Sequence, residues 1–109
     1  EYSVVSSMIW GSQYDAMMNW MAKSGTNVGS SISGYNSTTK TGSKDTDVIN
    51  NIYDLYGCHK EWTLEAFRSK HRVKRGGSSG GGGSPDACEI NIPIDTYSYY
   101  SSRATLYIK

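Results

Sequence analysis

Nucleophilic and titratable residues are densest in the middle of the chain. Cys58 and His59 are adjacent there, and the nearby carboxylates are Asp54, Glu61 and Glu65. Two carboxylates could act as general acid and general base in an active centre. We favour a structural role, in which Asp54 and Glu61 satisfy backbone amides and an arginine within a loop-rich core.

Cys58 and Cys88 are the two cysteines of the chain. They could form one disulfide, but two unpaired thiols are the favoured interpretation. The sequence lacks Cys-x-x-Cys pairs and the Cys/His spacing of zinc sites, because Cys58 adjoins His59 and His71 stands alone. It also lacks the Gly-x-Ser-x-Gly turn of serine hydrolases. We therefore predict neither a metal nor another cofactor.

Length and composition favour one domain over residues 1–109. Only 37% of the residues are hydrophobic, which predicts a thin core. The net charge is +1 and the densest basic cluster, at 68–75, is short, so nucleic acid is not an expected partner. No apolar run is long enough to cross a bilayer, so membrane insertion is not expected. Because the chain begins at Glu1 rather than Met, we expect a fragment, a processed form or a trimmed chain.

The elements that must position these residues begin with a helix, predicted over about residues 12–24. One face carries apolar side chains at i, i+3, i+4 and i+7, and Trp20 extends it. These side chains are Tyr14, Met17, Met18 and Met21. We expect this face to pack on the core; an adaptable methionine-rich binding groove is the alternative. Residues 12–15 fit a capping box, and Gly25 suits the left-handed position after the helix.

Short extended segments account for much of the remaining chain. Residues 2–9 are expected to lie extended against the body. Short strands are predicted at 61–64, 72–75, 90–94 and 104–108. Pro93 restricts the third of these to an edge or a loop. The last should bury the face formed by Ala104, Leu106 and Ile108.

Three other segments have different patterns. Apolar positions 48, 49, 52 and 55 fit one or two tight helical turns that end at Gly57. Residues 25–46 are predicted to be a polar loop, in which Asn36-Ser37-Thr38 matches a glycosylation sequon. The Gly/Ser run at 78–84 could be a flexible linker, closed by Pro85.

Three sequence blocks occur in an order that resembles the formylglycine-generating-enzyme (sulfatase-modifying factor) branch of the C-type lectin fold. The blocks are Asn51-Ile52-Tyr53-Asp54-Leu55-x-Gly57-x-x-x-Glu61-Trp62-Thr63, then Arg72-Val73-x-Arg75-Gly76-Gly77, then Ser102-Arg103-Ala104-x-Leu106. The predicted helix is similar to the family helix before the first block. The resemblance covers most of the chain and implies an α+β domain with one or two helices, short strands and long loops.

A subgroup of short prophage proteins resembles the chain more closely, at residues 11–21, 61–66, 72–77 and 102–109. Many of these proteins look like targets of diversity-generating retroelements, which rewrite chosen positions of a ligand-binding face while the fold is kept. The resemblance implies a variable region at about 58–101 and a location on the phage virion or bacterial cell surface. It also favours a native loop over an inserted linker at 78–84, because a similar number of small, polar residues precedes a Ser-Pro step in the subgroup.

The same resemblance argues against catalysis. Formylglycine-generating enzymes oxidise a substrate cysteine with two cysteines of their own, placed shortly after the Arg-Gly-Gly-Ser turn. Here Ser79, Gly80 and Gly81 follow that turn, and the next cysteine is Cys88. The calcium-linked motifs of sugar-binding C-type lectins, Glu-Pro-Asn and Trp-Asn-Asp, are also missing. We expect a non-catalytic domain that binds a protein or cell-surface ligand. The alternatives are a cysteine-dependent oxidoreductase that uses Cys58 and Cys88, or a structural virion domain.

Candidate ligand-binding residues lie beside the Glu-Trp strand, around the Arg-Val-x-Arg strand and on the loops that follow. They are His59, Lys60, His71, Lys74, Ser78, Ser79, Gly80, Asp86, Ala87, Glu89, Asn91, Ile92, Ile94, Tyr97, Ser98, Tyr99 and Tyr100, and the loop candidates extend to Gly83. If exposed, Ile90, Ile92 and Ile94 would form an apolar patch that marks a partner site; burial is the alternative.

Three residues of the matched blocks are assigned to the scaffold. Trp62 should fill the core, so that Trp62→Ala would unfold the domain. Arg75 and Arg103 should pair with carboxylates such as Asp54 or Glu61 and hold loops in place.

Overall fold

The computed structural model describes residues 3–25, 40, 42–55, 57, 59–77, 88–94, 97 and 100–108. In chain order the elements are β1 (Val4–Met8), α1 (Gly11–Lys23), a 3₁₀ turn (Asp45–Asp47), β2 (Val48–Ile49), β3 (Ile52–Tyr53), β4 (Lys60–Arg68), β5 (His71–Arg75), β6 (Cys88–Asn91), β7 (Tyr100–Ser102) and β8 (Ala104–Ile108). The predicted α+β class is confirmed. No helix within these ranges is long and apolar enough to span a membrane.

The central sheet has four strands in the order β6-β5-β4-β7. β5 is antiparallel to both β4 and β6, and β7 runs parallel to β4. β1 and β8 form a separate antiparallel pair, the terminal ribbon. The strands predicted at 61–64, 72–75 and 104–108 are confirmed, as is the extended segment before the helix. β6 is an edge strand, as Pro93 predicted, but it ends at Asn91, short of the predicted 94.

Helix α1 packs its predicted face on the core. The buried cluster consists of Ile9, Tyr14, Met18, Met21 and Leu55, with Met17 packed against it. The methionine-rich face is therefore part of the core, as favoured from the sequence. Trp20 does not extend it, since its side chain is 50% exposed. Gly25 has φ +87°, which confirms the left-handed residue after the helix.

The cap at the start of α1 differs from the prediction. Trp10 is the N-cap, and its backbone N–H donates a hydrogen bond to Gln13 Oε1 at 2.9 Å. The capping box predicted at 12–15 is therefore wrong, because the side chain that returns to the cap is Gln13, three residues after Trp10. Asp15 instead faces Arg75, with Oδ1 3.3 Å from Nη2.

A hairpin replaces the helical turns predicted after position 47. Val48 pairs with Tyr53 and Ile49 with Ile52. The two connecting residues, Asn50 and Asn51, have φ of 49° and 65°. Two successive positive φ angles are typical of the tight turn whose twist matches a hairpin, and asparagine tolerates them. The apolar spacing fitted a helix, but the turn chemistry decides the local structure.

The terminal ribbon exposes the face that was predicted to be buried. Leu106 is 72% exposed and Val4 is 60% exposed. Ala104 is exposed as well. The alternation in β8 is real, but the prediction of a buried face is wrong, because no described element covers that side of Ala104 and Leu106. The predicted sequon and the Gly/Ser run at 78–84 lie outside the described residues.

Candidate functional site

One face of the four-stranded sheet brings together side chains from four strands. Trp62 on β4 lies opposite Lys74 on β5, and Lys74 lies opposite Glu89 on β6. Lys60 lies opposite Tyr100 on β7. Because side chains on a strand point alternately to the two faces, these five residues share one face, which we call the outer face.

Aromatic rings form the centre of the outer face. The rings of Trp62 and Tyr100 meet edge to face, with centroids 5.6 Å apart. Tyr97, which is 53% exposed, makes the same kind of contact with Tyr100 at 5.2 Å. Such pairs stabilise each other beyond the area that they bury. The prediction that Trp62 fills the core is wrong, since Trp62 is half-buried on the outer face.

A buried lysine lies against this aromatic group. Lys74 is fully buried, and its ammonium lies 3.5 Å from the Tyr100 ring centroid and 5.3 Å from that of Trp62. An ammonium group over an aromatic face is attracted by the ring quadrupole, most strongly when water is excluded. Lys74 therefore supports the outer face from beneath the rings, rather than offering its charge to solvent.

Glu89 connects the lysines of the outer face. Its Oε2 accepts a hydrogen bond from Lys60 Nζ and lies 3.4 Å from Lys74 Nζ. The hydrogen bond from Lys60 lowers the pKa of the Glu89 carboxyl below its ordinary value, and the two positive charges add to that effect. The carboxylate is thus held in its charged form between two cations.

The opposite face of the sheet is structural. Val73 is buried there, and its carbonyl accepts a hydrogen bond from Thr63 Oγ1 at 3.0 Å. Arg75 contacts Glu65 Oε2 at 3.1 Å and the helix residue Asp15. The prediction that Arg75 pairs with carboxylates is confirmed. Its partners are not the suggested Asp54 or Glu61 but the carboxylates that the sheet and α1 place next to β5.

Arg103 joins three separate parts of the chain. Its Nε donates to Glu61 Oε2 at 2.8 Å, and its Nη2 donates to Glu61 Oε1 at 2.5 Å and to the Tyr53 carbonyl at 2.9 Å. The predicted pair with Glu61 is confirmed. Burial raises the pKa of Glu61, and the Arg103 hydrogen bond opposes that rise. Asp54 has the predicted role of satisfying an amide, because its Oδ2 accepts from Gly42 N–H at 2.7 Å.

A cleft of about 350 Å³ lies beside this arginine. Its lining includes Tyr53, Glu61, Arg103 and His59. His59 precedes Lys60 and therefore faces away from the outer face. The structure thus separates two neighbours that the sequence placed in one binding edge.

The remaining candidates divide into three groups. Asn91 shares the outer face with Glu89, two residues before it on β6. Half-buried His71 lies at the start of β5, and Ile92 and Ile94 follow β6 with 37% and 82% exposure. Ser78, Ser79, Gly80, Asp86, Ala87, Ser98 and Tyr99, with the rest of the loop to Gly83, lie outside the described residues.

Two questions left open by the sequence are answered in part. Ile90 is 40% exposed, so all three isoleucines of the proposed apolar patch reach solvent. Cys88 is an exposed thiol in no disulfide, while Cys58 lies outside the described residues. Trp62 was not among the candidates selected from the sequence, yet it lies at the centre of the outer face. Its alternation with Lys60 along β4 was the signal that could have placed it there.

Comparisons of the chain with models of protein families, with curated proteins and with solved structures found no match.

Proposed function

We propose that this chain is a non-catalytic ligand- or receptor-binding domain whose outer face and following loops contact the ligand. The observation that carries the proposal is the convergence of Lys60, Lys74, Glu89 and Tyr100 from four different strands. These residues were selected from the sequence as ligand-binding, and they meet around Trp62 on one face.

The chemistry of the outer face suits protein recognition. Tyrosine offers a large contact area at a low cost in conformational entropy, and neighbouring lysine and asparagine side chains add adaptable hydrogen bonds. The rings of Tyr97 and Tyr100 contact each other, and Tyr100 is held on β7, so little order has to be gained on binding. A rigid aromatic group with polar side chains beside it is the arrangement found at interface hot spots.

We propose further that the scaffold is a C-type lectin fold of the formylglycine-generating-enzyme-like branch. Residues from the separate sequence blocks that carry the resemblance contact one another. Arg103 of the last block holds Glu61 and the Tyr53 carbonyl of the first. A Cβ at Gly76, from the middle block, would lie 3.4 Å from the Leu55 carbonyl of the first. Contact between the blocks supports the resemblance, because it gives their residues a common structural role.

On this proposal the chain is a diversity-generating-retroelement target of phage or bacterial origin, displayed on a virion or a bacterial cell surface. Substitutions on the outer face would change which ligand the chain binds, without disturbing the Arg103–Glu61 pair on the other side of the sheet. Sequencing the locus that encodes the chain tests the origin. We expect a near-copy of the segment for about residues 58–101, differing at adenines, beside a reverse transcriptase gene. A locus with neither feature would contradict a retroelement origin.

Binding itself is tested with fluorescent tetramers of the domain on a panel of bacterial strains. We expect at least one strain to be stained, and Tyr100→Ala to reduce the staining at least tenfold. Trp20→Ala is the matched control, because it removes a half-exposed aromatic side chain from the helix. Staining that both variants lose equally, or that neither loses, would contradict a binding role for the outer face.

The absence of catalysis is tested separately through the cysteines. Cys88 is exposed on the edge strand β6 and belongs to no disulfide. We expect no thiol coupling in a count of free thiols with and without reductant, and no stoichiometric binding of copper(I). Copper bound by both thiols would instead support the oxidoreductase alternative.

A further inference from the structure

Three charged side chains of the outer face form one linked group. Lys60 and Lys74 both contact the same oxygen, Oε2 of Glu89. Together the three groups carry a charge of +1. The Lys60 and Glu89 side chains are 24% and 41% exposed, whereas Lys74 is fully buried. The excess positive charge can therefore meet a ligand only through Lys60.

The two lysines depend on Glu89 to different extents. Loss of the carboxylate partner of a buried ammonium strongly destabilises the folded protein, so we expect Glu89 to remain paired with Lys74. The Lys60–Glu89 pair is partly exposed, so water screens it and it stabilises the fold less than a buried pair would. A carboxylate from a partner can therefore take over Lys60 at small cost, while Glu89 continues to neutralise Lys74.

The surroundings decide which anion fits. The exposed ring of Tyr97 and the half-buried Tyr100 offer apolar area near Lys60, because Tyr100 is the register partner of Lys60 on β7. A polyanion such as nucleic acid or a sulfated glycan needs a row of cations to bind tightly, whereas this linked group carries one net positive charge. We infer that the outer face binds an acidic side chain of a protein partner, with Lys60 holding the carboxylate and Tyr97 and Tyr100 contacting the neighbouring apolar surface. This inference rests on the proposed function.

The test is an NMR titration of the ¹⁵N-labelled chain with the capped peptide acetyl-Leu-Glu-Leu-amide and with its neutral counterpart acetyl-Leu-Gln-Leu-amide. We expect the glutamate peptide to shift the amide signals of Lys60, Glu89 and Tyr100. The glutamine peptide should bind about two- to fivefold more weakly, as expected for the loss of an ion pair near the surface. Equal binding of the two peptides would overturn the inference.

Variants test whether Lys60 is the lysine that binds the carboxylate. Lys60→Met keeps most of the aliphatic stem and the Lys74–Glu89 pair, so the chain should fold. It should bind the glutamate peptide about two- to fivefold more weakly. Lys60→Arg should retain binding. Lys70→Met removes the same charge from the exposed turn between β4 and β5 and is the matched control. Unchanged binding by Lys60→Met, or equal loss in Lys70→Met, would overturn the inference.

Two further outcomes separate this inference from the proposed function. A heparin hexasaccharide that binds more tightly than the peptide, through Lys60, would overturn the choice of a protein carboxylate. Bacterial staining that depends on Tyr100 but is unchanged in Lys60→Met would also overturn the inference, while leaving the proposed binding function in place. Loss of staining in both Tyr100→Ala and Lys60→Met supports the proposed binding function and the inference about Lys60.

Discussion

Removal of the Arg103 side chain leaves Glu61 as an uncompensated charge inside the protein. The Glu61 side chain is 10% exposed and that of Arg103 is 23% exposed. Breaking a buried ion pair by removing one partner costs about 3–5 kcal/mol. In Arg103→Met, Glu61 can escape this penalty by taking up a proton, which limits the cost at pH 7.

The limit follows from the ordinary pKa of a glutamate, 4.5. The difference between pH 7 and this pKa is roughly 2.5 pH units. At about 1.4 kcal/mol for each unit, protonation of Glu61 at pH 7 costs about 3.4 kcal/mol. We therefore expect Arg103→Met to lower the free energy of unfolding by about 3 kcal/mol at pH 7. At about 4 °C per kcal/mol, the melting temperature should fall by roughly 12 °C.

The pH dependence distinguishes this mechanism from a simple loss of packing. Burial already raises the pKa of Glu61 in the folded protein, and loss of Arg103 raises it further. The folded variant then binds more protons than the unfolded chain between the ordinary pKa and the raised one, so its stability increases as the pH falls through that window. Near pH 4.5 the difference from wild type should shrink to about 1 kcal/mol, since the lost hydrogen bond from the Arg103 guanidinium to the carbonyl of exposed Tyr53 costs roughly that amount.

The assay is urea unfolding at several pH values, with Arg72→Met as the matched control. Arg72 donates to the backbone carbonyls of Arg68, at a long 3.4 Å, and of His71, so its loss should cost about 1 kcal/mol or less. The reasoning would be refuted by an Arg103→Met penalty below that value. A penalty that stays constant from pH 7 to pH 4.5 would refute it as well, because protonation of Glu61 would then have no role.

Three further predictions concern other parts of the molecule. The Glu89 carboxyl should titrate below its ordinary pKa in a ¹³C NMR titration. Lys60→Met should move the titration midpoint upward, because the hydrogen bond from Lys60 is the largest cause of the lowered pKa. An unmoved midpoint would exclude that cause. Trp62→Ala should leave the domain folded and cost about 2 kcal/mol in thermal unfolding. This is less than the 3–5 kcal/mol typical of a fully buried tryptophan, since Trp62 is half-buried. Complete unfolding would show that Trp62 belongs to the core. Asn51→Gly should change stability by less than about 0.5 kcal/mol, whereas Asn51→Val should cost about 1–2 kcal/mol at φ 65°; equal effects would show that the turn has another conformation.

Regular periodicity made the helix predictable, because Tyr14, Met18 and Met21 repeat along one face and are buried on the core. The hairpin after Val48 was missed because positions 48, 49, 52 and 55 satisfy helical spacing as well. Only the Asn50–Asn51 pair separates the two structures, through its tolerance of positive φ. A pattern of hydrophobic spacing is therefore a weak guide when the segment is only a few residues long.

The outer face shows why residue type alone misassigns a site. Tryptophan suggested the core and lysine suggested the surface, yet Lys74 is fully buried and Trp62 is half-buried on the outer face. Burial of Lys74 is tolerated because the Tyr100 ring and Glu89 compensate its charge. Those partners come from β6 and β7, far from Lys74 in sequence, so the compensation could not be foreseen from the residues around it.

The terminal ribbon and the cleft show the same dependence on tertiary structure. The alternation in β8 was visible in the sequence, but which of its faces would be covered was not. His59 and Lys60 are neighbours in sequence, yet one lines the cleft and the other lies on the outer face. Strand alternation predicts this separation once the start of β4 is known.

The central claim is that a variable ligand-binding face is supported by a scaffold on the other side of the sheet. A substitution scan of the surface-displayed chain, with protease resistance as the measure of folding, tests this most directly. We expect Lys60, Asn91 and Tyr97 to accept most substitutions, and Tyr14, Glu61, Val73 and Arg103 to accept few. Equal tolerance in the two groups, or a less tolerant outer face, would contradict the claim.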